Sequence, residues 1–142
     1  MDIDVHLALL FELQEALYQA GARRFVFINV PAFHRSPTKG ISPDYPPPDG
    51  RAPDLPGRIA EWNSELLRRI RLFRDHHPDI FVGHYDSFAM FMEILDNPES
   101  FGFRDATTEC VEQDCFWADF LHPTWAVHWI LAGEISTYLN RL

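Results

Sequence analysis

An aspartate and a histidine three residues apart are the side chains of this sequence best suited to acid–base chemistry. Asp119 precedes His122 in the run Phe-Trp-Ala-Asp-Phe-Leu-His-Pro-Thr, residues 116–124. A carboxylate at this spacing can accept a hydrogen bond from one imidazole nitrogen, which leaves the other nitrogen to accept a hydroxyl proton. The pattern therefore predicts the acid and the base of a hydrolytic triad. In the alternative interpretation, Asp119 caps the following helix and His122 is an ordinary surface residue.

A serine nucleophile in a recognisable setting does not accompany this pair in the 142 residues. Ser87 is the best-placed serine, because it follows a predicted strand and precedes a predicted helix. No glycine-rich turn exposes its hydroxyl, so we interpret Ser87 and its neighbour Asp86 as helix caps. The other serines have no activating neighbour in the sequence, and they are Ser36, Ser42, Ser64, Ser100 and Ser136.

Two further groups of potential ligands are weaker signals. Cys110 and Cys115 could form a disulfide in an oxidising compartment or remain two free thiols, and the sequence leaves both possibilities open. His76, His77 and Asp79 lie close together in the sequence, but adjacent helical residues point in different directions. We therefore predict a solvated helix end there rather than a metal site.

Composition predicts one soluble domain. Hydrophobic residues make up 46% of the chain, which is enough for a core, and the apolar runs are too short to span a bilayer. Twenty-one acidic residues against twelve basic ones give a net charge of −9, which repels phosphate backbones and anionic lipids. We therefore expect neither nucleic acid nor a membrane as a partner. The first ten residues lack the basic segment of a secretory signal.

Four helices are predicted around these residues, each from apolar side chains that recur every three or four positions. The third is a short helix that Pro98 ends, and the fourth should start at Pro123. The predicted apolar stripes, in chain order, are Val5, Leu9, Leu13 and Leu17; Ile59, Trp62, Leu66, Ile70 and Phe73; Phe88, Phe91 and Leu95; and Val127, Leu131, Ile135 and Leu139.

Two nearly continuous apolar segments, 25–30 and 80–85, predict strands that are covered on both faces. The order strand, helix, strand predicts that they pair in parallel. Between them, residues 31–57 contain eight prolines and predict a long surface loop. Asn29, at the end of the first strand, stands where ligands gather in such sheets. Two strands make a small parallel sheet, so we expect a missing neighbour beside the first strand and the latter part of a doubly wound α/β domain.

Three segments resemble the GDSL or SGNH esterases. They are residues 17–31, the Asn-Pro of 97–98 with the Phe-Gly-Phe of 101–103, and the run at 116–124. Within that family, the chain looks most like the fungal acetylesterases grouped in carbohydrate esterase family sixteen. The resemblance implies a serine ester hydrolase with a three-layer α/β/α, flavodoxin-like fold and neither a metal nor an organic cofactor. It also implies that Asp119 is the orienting acid and His122 the general base.

The family blocks that carry the serine and the oxyanion donors have no match in this sequence. Residues 1–142 are thus expected to be the C-terminal portion of a single SGNH hydrolase domain, with two parallel strands and four helices of that fold. The parent enzyme would act on carbohydrate or small acyl esters, and this chain alone should lack useful activity. The alternative is an inactive remnant that recruits a partner, or a second copy of itself, through an exposed sheet edge. For full-length relatives the resemblance implies secretion.

Overall fold

Four α-helices and a two-stranded parallel sheet make up the regular structure of residues 2–39 and 54–141, the part of the chain that the computed structural model describes. Short 3₁₀ turns at Phe33–Arg35 and Pro98–Phe101 lie between them. The predicted mixed α/β fold is confirmed. The elements, in chain order, are α1 (Ile3–Gln19), β1 (Arg24–Ile28), α2 (Leu55–His76), β2 (Phe81–Tyr85), α3 (Ser87–Asp96) and α4 (Trp125–Asn140).

The predicted proline-rich loop is only partly described. Residues 40–53 of this segment lie outside the described residues. The described residues before them include the first 3₁₀ turn, and α2 already begins at Leu55, inside the range predicted as loop. Asp54 starts α2, because its carboxylate accepts a hydrogen bond from the Gly57 N–H at 3.0 Å.

One face of the sheet packs against α1 and α2. The register of the parallel pair places Phe25 opposite Val82 and Phe27 opposite His84. Both phenylalanines are buried, and the Phe27 ring stacks on Phe11 of α1 with 5.3 Å between centroids. This first cluster is completed by apolar side chains from both helices, chiefly Ile3, Leu7, Leu66, Ile70 and Phe73. The stripe predicted for α2 is thus confirmed as its inward face.

The opposite face of the sheet is covered over β2 but not over β1. Tyr85 of β2 is buried and meets Tyr138 of α4 edge-on, with 5.8 Å between ring centroids. On β1, Val26 and Ile28 are 39% and 48% exposed. The prediction that the first strand is covered on both faces is therefore wrong within the described residues, because α4 packs above β2.

The apolar stripe predicted for α1 is also wrong. Val5, Leu9, Leu13 and Leu17 are all more than half exposed, whereas Ile3 and Leu7 are buried. The helix carries two rows of apolar residues, and both rows have helical spacing. The contact between Phe11 and Phe27 decides which row faces the sheet.

Helix α4 begins two residues later than predicted, at Trp125, because Thr124 has an extended backbone. Of its predicted stripe, Val127 is buried, Leu131 and Ile135 are partly buried against the second cluster, and Leu139 is exposed. That second cluster joins α3, α4 and the loop between them. None of the helices in the described residues is both long and apolar enough to cross a membrane.

Candidate active site

The segment between α3 and α4 holds the two predicted site residues in a tight turn. Just before the turn, Trp117 is fully buried, and its indole N–H donates to the Ala106 carbonyl at 2.9 Å. The Ala118 N–H donates to the His122 carbonyl at 2.8 Å, and the Thr124 N–H donates to the Phe116 carbonyl at 2.8 Å. These hydrogen bonds close the turn above the buried Trp117 and leave residues 119–122 at the surface.

Asp119 and His122 are in direct contact. The imidazole Nδ1 lies 2.9 Å from Asp119 Oδ2 and 3.1 Å from Oδ1. Asp119 Oδ1 also accepts the backbone N–H groups of Leu121 and His122, at 2.8 and 2.7 Å. These donors, led by the His122 N–H, hold the pKa of Asp119 below its ordinary value. The carboxylate is therefore ionised at neutral pH and can hold the ring with Nδ1 protonated.

The His122 side chain is 68% exposed. Its Nε2, the nitrogen that would take a proton from a hydroxyl, has no hydrogen-bond partner among the described residues. The alternative interpretation, in which Asp119 caps α4, is wrong: Thr124 occupies the cap position, and its hydroxyl donates to the Cys115 carbonyl at 2.7 Å. Asp119 instead fixes the turn that presents the histidine.

Cys110 and Cys115 form a disulfide, which decides between the two possibilities that the sequence left open. The cross-linked segment leads directly into the turn, since the Cys110 N–H donates to the Trp117 carbonyl at 2.9 Å. Asp114, within the segment, pairs with Arg104 at 2.6 Å. The disulfide therefore constrains the segment that directly precedes Asp119 and His122.

Ser87 is not placed to act as a nucleophile. Its side chain is buried, and Oγ donates to the backbone carbonyl of Asn29 at 2.6 Å and contacts Asn29 Oδ1 at 2.9 Å. The Asn29 amide in turn donates to Asp86 at 2.7 Å, and Asp86 caps α3 by accepting the Ala89 N–H. The predicted cap is confirmed at Asp86. The hydrogen bonds between Asn29 and Ser87 therefore join the residues that follow β1 and β2.

His76, His77 and Asp79 turn to separate partners. His77 Nε2 lies 2.8 Å from Glu15 of α1, whereas His76 Nδ1 lies 2.7 Å from the Leu72 carbonyl within its own helix. Asp79 pairs with Arg23 at 2.7 Å. The His77 and Asp79 side chains therefore tie α2 and the following loop to neighbouring elements, whereas His76 bonds within its own helix. The three side chains do not converge on a common point.

Two tryptophans just after the candidate pair, Trp125 and Trp129, are surface residues. Trp129 is 77% exposed, and Trp125 is also exposed. Together with Phe101, Phe103 and neighbouring residues, they line an open cleft of about 160 Å³. No sequence signal separates them from core tryptophans, because the same spacing serves a buried or an exposed helix face.

An imidazole held by a carboxylate through one ring nitrogen, with the other nitrogen free of partners within the described residues, is an arrangement that triad hydrolases also use. No model of a known protein family matches the chain. An acetylesterase of Thermothelomyces thermophilus is 30% identical over 125 residues, which are 86% of this chain and 39% of the acetylesterase. Two GDSL esterase/lipases of Arabidopsis thaliana are 31% identical over 101 residues and 28% over 142, covering 70% and 82% of this chain.

These similarities show that the chain is related to the GDSL (SGNH) hydrolases, as the resemblance of the three segments implied. The relatives are much longer proteins. The chain spans 39% of the acetylesterase and 27% and 37% of the two plant proteins.

Proposed function

We propose that this chain is the C-terminal portion of a GDSL/SGNH serine ester hydrolase, in which it supplies two members of the catalytic triad. Asp119 is the orienting acid and His122 the general base. The observation that carries the proposal is the 2.9 Å contact between His122 Nδ1 and Asp119 Oδ2, which leaves Nε2 on an exposed ring. The esterase relatives, of which this chain matches only a part, support it.

In this mechanism, the nucleophilic serine comes from the remainder of the domain. His122 Nε2 accepts the proton of the serine hydroxyl as its oxygen attacks the ester carbonyl. The same proton passes to the leaving alcohol when the carbon–oxygen bond of the ester breaks. His122 next takes a proton from a water molecule as the water oxygen attacks the acyl carbon, and it returns that proton to the serine oxygen when the acyl–serine bond breaks and the acid leaves. Asp119 stays ionised throughout and stabilises the imidazolium, and a base of this kind contributes about 10²- to 10⁴-fold in rate.

The substrate we propose is an acetyl or other short acyl ester of a carbohydrate or a small alcohol. The name of the acetylesterase relative supports the acyl group. The exposed Trp125 and Trp129 support the carbohydrate, because a flat indole can stack on the apolar C–H face of a sugar ring. Trp125 starts the helix three residues after His122, so an ester group on the sugar could lie near the base.

A chimaera tests the assignment. This chain replaces the 125 matched residues of the Thermothelomyces thermophilus acetylesterase, and hydrolysis of 4-nitrophenyl acetate is measured. The chimaera should be active, and His122→Ala should lower kcat at least about 10²-fold. The matched control is His128→Ala, an exposed histidine of α4, which should leave kcat unchanged. A folded chimaera without activity, or one that His122→Ala does not affect, would contradict the proposal.

The alternative function, a non-catalytic interaction module, is favoured by the apolar surface that β1 leaves exposed. Under that alternative, the chain would associate through β1 while His122 plays no part in chemistry. Hydrolysis of 4-nitrophenyl acetate by the chimaera distinguishes the two functions. Only the hydrolase proposal predicts that the chimaera is active and that its activity depends on His122.

A further inference from the structure

A threonine from the segment after β1 reaches the turn that carries Asp119 and His122. The Thr38 hydroxyl donates to the backbone carbonyl of Phe120 at 3.0 Å, across 82 positions of the chain. Phe120 lies between the two site residues, and its ring meets the His122 imidazole edge-on with 6.4 Å between centroids. Thr38 therefore contacts the turn directly, although it is remote from the turn in the sequence.

The carbonyl that Thr38 holds belongs to a peptide unit that also holds Asp119. A trans peptide unit is planar, and its C=O and N–H point in opposite directions, so the Phe120 carbonyl and the Leu121 N–H move together. The Leu121 N–H donates to Asp119 Oδ1 at 2.8 Å. The Thr38 hydroxyl thus holds one end of the unit and the carboxylate holds the other. A rotation of the unit would break both hydrogen bonds.

The two hydrogen bonds also support each other electrically. A bond accepted by a peptide carbonyl polarises the N–H of the same unit and makes it a better donor. The His122 N–H, followed by the Leu121 N–H, lowers the pKa of Asp119. Asp119 Oδ2 in turn lies 2.9 Å from His122 Nδ1. A continuous series of contacts therefore runs from Thr38 through one peptide unit and one carboxylate to the imidazole.

Thr38 is itself held in place by its own segment. The Lys39 N–H donates to the Ser36 carbonyl at 2.7 Å, which closes a β-turn around Thr38. Just upstream, Arg35 pairs with Asp96 at the end of α3 at 2.7 Å. Because backbone atoms close the β-turn, the Thr38 hydroxyl is not needed for it. Removal of the hydroxyl should therefore act on the turn that it contacts and not on its own segment.

We propose that Thr38 is a positioning residue for the acid–base pair. Its hydroxyl fixes the peptide unit between Phe120 and Leu121. That unit in turn orients the Asp119 carboxylate toward His122. The inference rests on the proposed function, because it adds a supporting residue to the triad half described above. The turn forms from its own hydrogen bonds, and Thr38 limits how far one of its peptides can rotate. Such limits affect rate, since a small displacement of a catalytic group slows the reaction.

The first test uses the complete chain and needs no catalysis. Thr38→Val removes the hydroxyl and keeps the shape of the side chain, so amide hydrogen exchange at Leu121 should become about three- to tenfold faster. The pKa of Asp119 should rise toward its ordinary value, because the carboxylate loses part of its bond to Leu121. Carbon-13 NMR of the carboxyl group measures that pKa. Exchange at Thr124, whose N–H donates to the Phe116 carbonyl, should not change.

Two further variants are the controls. Thr38→Ser supplies a hydroxyl donor again and should restore both the exchange rate of Leu121 and the pKa of Asp119. Thr137→Val makes the same substitution as Thr38→Val on an exposed threonine of α4, and it should change neither value. Circular dichroism of each variant confirms that it folds.

The second test measures hydrolysis of 4-nitrophenyl acetate by the chimaera. Thr38→Val should lower kcat about three- to tenfold and leave KM unchanged, which corresponds to the loss of one hydrogen bond. Thr38→Ser and Thr137→Val should keep kcat near the wild-type value. An inactive chimaera contradicts the proposed function alone, because the measurements on the free chain still decide whether Thr38 orients Asp119.

The positioning role is refuted if Thr38→Val leaves both the exchange of Leu121 and the pKa of Asp119 unchanged. It is also refuted if exchange at Thr124 accelerates equally, since Thr38 would then stabilise the whole region and not one peptide unit. Failure of Thr38→Ser to restore the two values refutes it too. In an active chimaera, a kcat that Thr38→Val does not lower has the same consequence.

Discussion

The turn that carries Asp119 and His122 and the strand β1 differ in how far each is completed by this chain. The turn has a disulfide behind it, a fully buried tryptophan beneath it and backbone hydrogen bonds across it. Strand β1 has one paired edge and one covered face, and its other face remains exposed at Val26 and Ile28. Local structure thus preforms the contact between Asp119 and His122, whereas one face of β1 stays uncovered within the described residues.

The largest effect should come from removing the buried tryptophan that supports the turn. Trp117→Ala deletes a buried indole and leaves the Ala106 carbonyl without its donor, which should lower the free energy of unfolding by about 3–5 kcal/mol. Urea unfolding of the 142-residue chain measures the loss. The control Trp129→Ala removes an exposed indole and should stay within about 0.5 kcal/mol of the wild type. Equal effects of the two variants would show that the turn is not supported in this way.

The two apolar rows of α1 allow a second test, on the β1 side of the comparison. Leu7→Ala should cost about 2–5 kcal/mol of unfolding free energy, because Leu7 is fully buried. Leu13, which is 64% exposed, belongs to the row that the periodicity predicted to be buried. Leu13→Ala should therefore change stability by less than about 0.5 kcal/mol. If denaturant titration shows that Leu13→Ala destabilises the chain more than Leu7→Ala does, the Leu7 row of α1 does not face the sheet.

Removing the disulfide should have a smaller effect. The double variant Cys110→Ala, Cys115→Ala frees a short loop, and loop-closure entropy predicts a loss of about 2 kcal/mol. Thermal unfolding with and without dithiothreitol measures it. The reductant should destabilise the wild type by a similar amount and have no effect on the double variant. Unchanged stability in the double variant would mean that the hydrogen bonds of the turn suffice without the cross-link.

The smallest effect concerns a carboxylate that orders the segment before the disulfide. The Thr108 hydroxyl, followed by the N–H groups of Thr108 and Thr107, lowers the pKa of Asp105 to about 2. Since the ionised form is favoured in the folded state, its contribution is present above the ordinary carboxylate pKa, near 4, and is lost as the pH falls toward 2.

Asp105→Asn should therefore lower stability by about 1 kcal/mol at pH 7. The difference from the wild type should shrink between pH 5 and pH 2, as measured by urea unfolding across that range. Ser100→Ala, on an exposed residue of the preceding 3₁₀ turn, serves as a control and should show no such pH dependence. A difference that stays constant down to pH 2 would show that the threonine contacts do not depend on the charge of Asp105.

Local patterns predicted much of this structure. Both strands, all four helices and the inward face of α2 follow from the spacing of apolar residues. The contact between Asp119 and His122 could also be predicted, because only two residues separate them and a turn over so short a stretch brings the two side chains together. The start of α4 was missed by two residues, since Pro123 is as suitable a first helical residue as Trp125 is.

By itself, the sequence determined which segments are helix and strand and which carboxylate could hold which imidazole, because these features depend on residues that are close in the chain. Only the tertiary structure decided which row of α1 is buried, that Ser87 is engaged with Asn29, and that Val26 and Ile28 are exposed. Each of these depends on contacts between elements far apart in the sequence. Periodicity shows that a face is apolar, but the neighbour that packs on it decides whether that face is buried.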